Sequence, residues 1–342
     1  MKNIMVTGGA GFIGSNFIKY VLANFDYNII NFDKLTYAGN LENLSEIESD
    51  KRYRFVKGDI CEKKEVEKIV EEYGIDTIVN FAAESHVDRS ILGAKEFINT
   101  NVMGTHVLLE VLKEKGLEKY LQVSTDEVYG SLPEDKKEIL FTEKTPITTN
   151  SPYSASKASA DLLCNAFYHT FRLPILITRC SNNYGPYQFP EKLIPLMIAK
   201  ALNGEKLPVY GDGKNVRDWL YVQDHCSAII KVLQEGTHGE VYNIGGNNEW
   251  YNIDIVKLIL DKLGKGEDMI QYVKDRPGHD RRYAIDSAKI MNELGWSPEY
   301  NFESGIEITV KWYIENMNWW KKVMSGEYLK YYERNYGEKV NQ

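Results

Sequence analysis

A doubly wound α/β fold with a parallel central sheet is what this sequence predicts, and three observations carry the prediction. Short β-rich runs alternate with helical patterns through the first half, a glycine-rich turn links the first run to the first helix, and an acid closes the second run. Strands separated by helical crossovers give a parallel sheet that must be covered on both faces.

The elements follow in order. Ile4–Val6 reads as a strand, Phe12–Ala23 as a helix, and Asn28–Phe32 and Tyr53–Val56 as the next strands. Glu62–Tyr73 is helical, Thr77–Phe81 a buried strand, Lys95–Lys113 one long helix and Tyr120–Val123 a strand. A further helix starts at Pro152, with Ser151 as its N-cap and proline in the first helical position, and runs to about Phe171. Its apolar positions Leu162, Leu163, Ala166 and Phe167 cover more than one face, enough to pack on the sheet and still meet another subunit. After Cys180 turns and glycines multiply, as in Tyr210–Gly213 and Asn243–Gly246, and an amphipathic helix around Ser304–Trp320 precedes a charged tail. The expected division is a dinucleotide-binding domain of 1–180 plus roughly 220–245, and a smaller C-terminal α/β substrate lobe of 181–219 and 246–342.

Composition narrows the function. The chain has 342 residues, 43% of them hydrophobic, enough for a proper core. Its net charge of −8 repels a phosphate backbone, so nucleic acid is not an expected partner. Cys61, Cys164, Cys180 and Cys226 are scattered without metal-ligand spacing, so no metal site is expected, and reduced thiols suit the cytoplasm. The chain runs from Met1 straight into the first strand, so no leader segment is expected. No apolar run approaches the roughly 20 residues that span a bilayer.

The turn Thr7-Gly8-Gly9-Ala10-Gly11-Phe12-Ile13-Gly14 spaces its glycines for a dinucleotide. Gly8 permits the tight turn, Gly11 the close approach of backbone to pyrophosphate, and Gly14 the packing of helix on strand. The helix N-terminus then offers N–H groups to the anion. Asp33, about 20 residues further on, suits the adenosine ribose hydroxyls and disfavours a 2′-phosphate, so NAD is expected over NADP, with Lys34 weakening the exclusion somewhat. This is the Rossmann arrangement.

Tyr-x-x-x-Lys occurs three times, at Tyr53/Lys57, Tyr153/Lys157 and Tyr210/Lys214. In a strand four residues span about 13 Å, and Tyr210 opens a glycine turn. Only Tyr153 and Lys157 share a helix face, with a rise of about 6 Å. A phenol with a pKa of about 10 is a poor base at neutral pH. A cation about 4 Å away contributes roughly 4 kcal/mol, or about three pKa units, at an effective dielectric of 20. Lys157 and an oxidised nicotinamide ring are the two candidate cations.

Ser124-Thr125-Asp126-Glu127 follows the strand Tyr120–Val123, at the end of a parallel sheet where ligands bind. Adjacent carboxylates do not ionise independently, so one can be a protonated acid while its neighbour is a base. Dehydrating a sugar needs both. Residue types alone leave open which is which.

These residues resemble the extended short-chain dehydrogenase/reductase family, and within it the sugar-nucleotide 4,6-dehydratases. The resemblance runs from the glycine loop to about Tyr313 and includes Asp33–Asn40, Ala82–Ser90, Ser181–Tyr187, Pro190–Pro195, Val216–Trp219 and Asp275–Asp280. Thr125-Asp126-Glu127 separates dehydratases from simple 4-epimerases. The resemblance implies a hydro-lyase acting on dTDP-glucose in deoxysugar biosynthesis: NAD-mediated oxidation at C4, loss of water across C5 and C6, and hydride return to C6. It assigns Tyr153, with Lys157 and Thr125, to the C4 hydroxyl proton, Glu127 to the C5 proton and Asp126 to the departing C6 hydroxyl.

Beside the glycine loop and Asp33, the cofactor is expected against Phe12, Ile13, Lys34, Leu35, Thr36, Asp59, Ile60, Phe81, Ala82, Ala83, Ser85, Thr100, Tyr153, Lys157 and Asn183. The substrate is expected against Ser85, Thr125, Asp126, Glu127, Asn182, Lys192, Leu193, Pro208, Val209, Tyr210, Arg217, Asn252, Arg276 and His279. Of these, Arg217, Arg276 and Lys192 suit a diphosphate. A homodimer is expected through the Lys95–Lys113 and Pro152–Phe171 helices, which would form a four-helix interface. The alternatives are another sugar-nucleotide dehydratase, a 4-epimerase, which needs no paired acid and base, and a non-catalytic NAD-binding regulator.

Overall fold

The computed structural model describes residues 1–275 and 279–326. Its strands in chain order are β1 (Asn3–Thr7), β2 (Asn28–Asp33), β3 (Tyr53–Lys57), β4 (Thr77–Asn80), β5 (Lys119–Thr125), β6 (Ile175–Cys180), β7 (Asn182–Tyr184), β8 (Leu207–Tyr210), β9 (Val216–Tyr221), β10 (Val241–Ile244), β11 (Glu249–Tyr251) and β12 (Ile270–Val273). A seven-stranded parallel sheet has the order β10-β6-β5-β4-β1-β2-β3. From β1 the chain winds outward through β2 and β3, then returns to β4 on the other side. The crevice beyond the ends of β1 and β4 is where such a sheet accepts a ligand.

Alternation along the strands builds the two faces. Ile4 and Val6 join a core with Phe17, Ile18 and Val21 of the helix Phe12–Asn24 and with Ile229, Val232 and Leu233 of the helix Val222–Glu235. Met5 points the other way, to Val66, Leu108, Leu112 and Cys164. A third core joins β7, β8 and β9 to the helices Leu193–Leu202, Asn252–Lys262 and Phe302–Glu315. It is framed by a three-stranded sheet, β11-β9-β7, and the pair β12-β8.

Two helices differ from the sequence reading. Lys95–Lys113 is not one regular helix: Lys95–Phe97 and Thr105–Lys115 are α-helical, and Ile98–Gly104 between them is a π-turn. The widened turn holds Asn101, which accepts the Glu84 N–H and donates to Glu84 O and to Ser156 Oγ. Hydrophobic periodicity does not register one extra residue per turn. The last helix breaks at Asn316, giving Phe302–Glu315 and Met317–Ser325. The helix Pro152–Phe171 starts as read, with Ser151 and Ser154 forming a reciprocal capping box.

Candidate active site

One cleft of about 320 Å³ runs from the glycine loop to the end of β5. At its dinucleotide end Gly8 has φ +67°, and a Cβ there would lie 2.6 Å from Ala82 N. A Cβ on Gly14 would lie 2.4 Å from Gly8 O, so loop and helix are in direct backbone contact. Gly11 begins the helix Phe12–Asn24 with no side-chain cap and no acid in the first turn. Its positive end therefore faces the cleft uncompensated, which fits an anionic pyrophosphate.

Asp33 closes β2 and accepts N–H groups from Ala10 at 2.9 Å and Leu35 at 2.7 Å. Burial raises its carboxyl above the ordinary range, and those two donors oppose the rise. Lys34 does not stand as a loose cation, because Asp59 binds it at 2.6 Å. The pairing reduces its ability to attract a 2′-phosphate.

At the other end β5 delivers Thr125, whose Oγ1 accepts the Glu127 N–H at 3.2 Å and tightens the chain into the short turn Asp126–Tyr129. Asp126 is 1% exposed. Its Oδ1 accepts from Thr125 Oγ1 at 3.3 Å, whereas Oδ2 is buried without a partner. Burial, then the charges of Glu127 and Asp218, push the Asp126 carboxyl well above its usual value, with Arg217 opposing. Both effects favour its protonated form. Glu127 is the more exposed of the two.

Tyr153 and Lys157 reach the same cleft from the first turns of the helix Pro152–Phe171. Burial pushes the Tyr153 phenol well above its ordinary pKa, Glu127 pushes the same way, and the Thr125 hydroxyl pulls it back. Lys157 Nζ donates to Val123 O at 2.7 Å, and burial lowers its own pKa.

The arrangement has clear counterparts. The family profile described as GDP-mannose 4,6 dehydratase matches residues 5–309. A dTDP-glucose 4,6-dehydratase of Xanthomonas campestris pv. campestris is 55% identical, over 96% of this chain and 97% of that protein. The crystal structure of dTDP-glucose 4,6-dehydratase from Bacillus anthracis in complex with NAD superposes with a TM-score of 0.88 at 55% identity, covering 94% of this chain and 100% of that one. The dTDP-glucose 4,6-dehydratase of Streptomyces venezuelae, also solved with NAD bound, gives 0.90 at 48% identity, over 94% and 99% of the two chains. This chain belongs to the 4,6-dehydratase family.

Of the residues expected at the cofactor, the cleft wall includes Gly8, Gly11, Phe12, Ile13, Gly14, Asp33, Lys34, Thr36, Asp59, Ile60, Phe81, Ala82, Ala83, Ser85, Thr100, Tyr153, Lys157 and Asn183. Leu35 is not among them; its backbone, at φ +57°, serves Asp33 instead. Of the substrate set, the wall takes in Ser85, Thr125, Asp126, Glu127, Asn182 and Lys192, whose Nζ donates to Ser85 O at 3.1 Å.

The remaining substrate candidates lie outside this wall. Leu193 starts the helix Leu193–Leu202, Pro208, Val209 and Tyr210 lie on β8, and Asn252 starts the helix Asn252–Lys262. Arg217 is buried over the Tyr283 ring at 4.2 Å and donates to Val216 O and Asp280 O. Its charge acts on Asp126. His279 pairs with Asp275 at 2.6 Å beside Tyr210, and Arg276 lies outside the described residues.

The sequence reading also missed cleft residues. Glu84 and Glu191 lie inside recognised segments, and Gln188 and Phe189 between two of them. Asn43, Trp319 and Val323 carry no motif signal, and Trp319 meets Asn43 across 276 residues of chain.

Proposed function

We propose that this protein removes water from dTDP-glucose to give dTDP-4-keto-6-deoxyglucose, with NAD as its resident cofactor and with Tyr153, Thr125, Glu127 and Asp126 as the reacting groups. The observation that carries the reading is Asp126: a buried carboxyl, its pKa raised by burial and by Glu127 beside it, in the cleft that also holds Tyr153 and the glycine loop. A 4-epimerase has no use for that acid.

The glycine loop, Asp33 and Asp59 would hold the dinucleotide. When bound in its oxidised form it supplies a hydride acceptor and a fixed positive charge. Tyr153, aided by Lys157 and Thr125, takes the proton of the C4 hydroxyl. The C4 ketone acidifies the C5 proton, which Glu127 removes. Asp126 gives its proton to the leaving C6 hydroxyl, whose departure forms the C5–C6 double bond. As the hydride taken from C4 is delivered to C6, Glu127 would return its proton to C5. The proton that Tyr153 took from the C4 hydroxyl balances the one Asp126 gave up in the departing water, so Asp126 is recharged before the next turnover. The second lobe, 181–219 and the residues after 246, would receive the sugar nucleotide.

A homodimer is part of the proposal. Leu92, Ile98, Met103, Leu162 and Phe171 are exposed on neighbouring helices, a concentration of apolar surface that a second copy would cover. Four free cysteines fit a cytoplasmic location, and no helix among the described residues is long and apolar enough to cross a membrane.

The test is mass spectrometry after incubation with dTDP-glucose, UDP-glucose and GDP-mannose in parallel. A product lighter by one water, formed fastest from dTDP-glucose, is expected. A product of unchanged mass refutes dehydration.

A further inference from the structure

We propose that Trp319, on the C-terminal helix Met317–Ser325, is a cofactor-retaining residue: bonded to Asn43 and packed on Tyr187, it walls the dinucleotide cleft and slows release of NAD. The inference rests on the catalytic reading above, in which the same dinucleotide must stay from the first redox step to the last.

The helix has two separate duties. Trp320 is fully buried in the second lobe and donates its Nε1–H to Tyr313 O at 3.0 Å, which anchors the helix. Trp319 and Val323, four residues apart and so on one face, turn instead to the cleft and form part of its wall. Trp319 also packs on the Trp312 ring, with centroids 5.1 Å apart, but the fully buried anchor is Trp320.

What Trp319 touches leads directly to the glycine loop. Its Nε1–H donates to Asn43 Oδ1 at 2.9 Å, and Asn43 Nδ2 donates to Ala10 O at 3.0 Å. Nearby, Lys322 pairs with Glu42 at 3.2 Å. On its other side Trp319 meets Tyr187 edge-on, with ring centroids 5.6 Å apart. Tyr187 also lines the cleft, and its φ of +67° is a strained conformation for a bulky residue. It is held there by Lys19 over its ring at 3.8 Å, by a hydrogen bond to Glu46 at 3.1 Å and by the Trp312 ring at 4.6 Å. Contacts from the far end of the chain thus close over the part of the cleft that binds the dinucleotide.

The experiment exchanges bound NAD for isotopically labelled NAD in the full-length holoenzyme, followed by mass spectrometry. Trp319→Phe keeps a ring and loses the N–H, and exchange about three- to tenfold faster is expected. Trp319→Ala removes the ring as well, and about a further tenfold is expected. Excess NAD should restore turnover in both variants, a rescue that damage to the fold would not allow. Exchange as slow as in the parent for both variants overturns the proposal, as does lost turnover that excess NAD does not restore. The two readings fail separately. A parent that holds NAD but never dehydrates a sugar nucleotide refutes the catalytic reading, whereas an unchanged exchange rate in an active parent's variants refutes only the role of Trp319.

Discussion

Replacing Asp126 with asparagine separates its proton from its shape. The amide occupies the same volume, and its NH₂ stands where the carboxyl O–H stands beside the buried, unpartnered Oδ2. What disappears is the transferable proton. General acid catalysis contributes about 10²–10⁴-fold, or about 3–5 kcal/mol at 1.36 kcal/mol per decade, so dehydration should fall by that factor. Steps before the elimination should persist. In D₂O, Asp126→Asn should therefore return dTDP-glucose carrying deuterium at C5, because Glu127 still removes that proton.

Stability should move the other way. The folded protein raises the Asp126 pKa, so the contribution of Asp126 to stability is greatest below the ordinary carboxylate range and declines as pH rises toward the folded pKa. Each pH unit in that window costs the parent about 1.4 kcal/mol, and asparagine removes the cost. Asp126→Asn should unfold at a higher temperature than the parent at neutral pH and at the same temperature near pH ~3. Dehydration at the parent's rate would refute the acid role, and a variant less stable at neutral pH would refute the neutral, desolvated carboxyl.

Glu127→Gln should retain NAD, lose dehydration and, unlike Asp126→Asn, incorporate no deuterium at C5; incorporation would move the base elsewhere. Asp218, raised by burial to about 6, should cost the fold about 3 kcal/mol between its ordinary and folded pKa values, so Asp218→Asn should flatten the decline in stability across that range in a pH series of unfolding midpoints. Gly14→Ala places a Cβ 2.4 Å from Gly8 O, and since backbone must yield, a loss of about 1–3 kcal/mol in stability and of bound NAD is expected, read by thermal unfolding and cofactor content. Leu92→Glu combined with Met103→Glu should convert the proposed dimer to a monomer in light scattering without changing the unfolding pattern of the sheet; an unaltered mass would place the interface elsewhere.

Much of this protein is written locally. The spacing of Gly8, Gly11 and Gly14, the acid at Asp33 and the capped start of the helix at Ser151 depend on neighbours a few residues away, so the chain displays them in order. The parallel sheet follows from alternating periods of two and 3.6, and Thr125-Asp126-Glu127 is placed by the end of a strand. Protonation, by contrast, is a matter of burial. The Asp126 carboxyl is raised because burial removes its solvent and the charges of Glu127 and Asp218 oppose its own, and the Tyr153 phenol is driven upward by burial and by Glu127. Neither effect has a sequence period. The same holds for the surroundings of Arg217, which donates to Val216 O and Asp280 O over the Tyr283 ring, and for Trp319, brought to the glycine loop across almost the whole chain. Sequence determined which groups are present and on which elements; the folded chain alone decided which of them lose water, because solvent exclusion is summed over residues that are distant along the backbone.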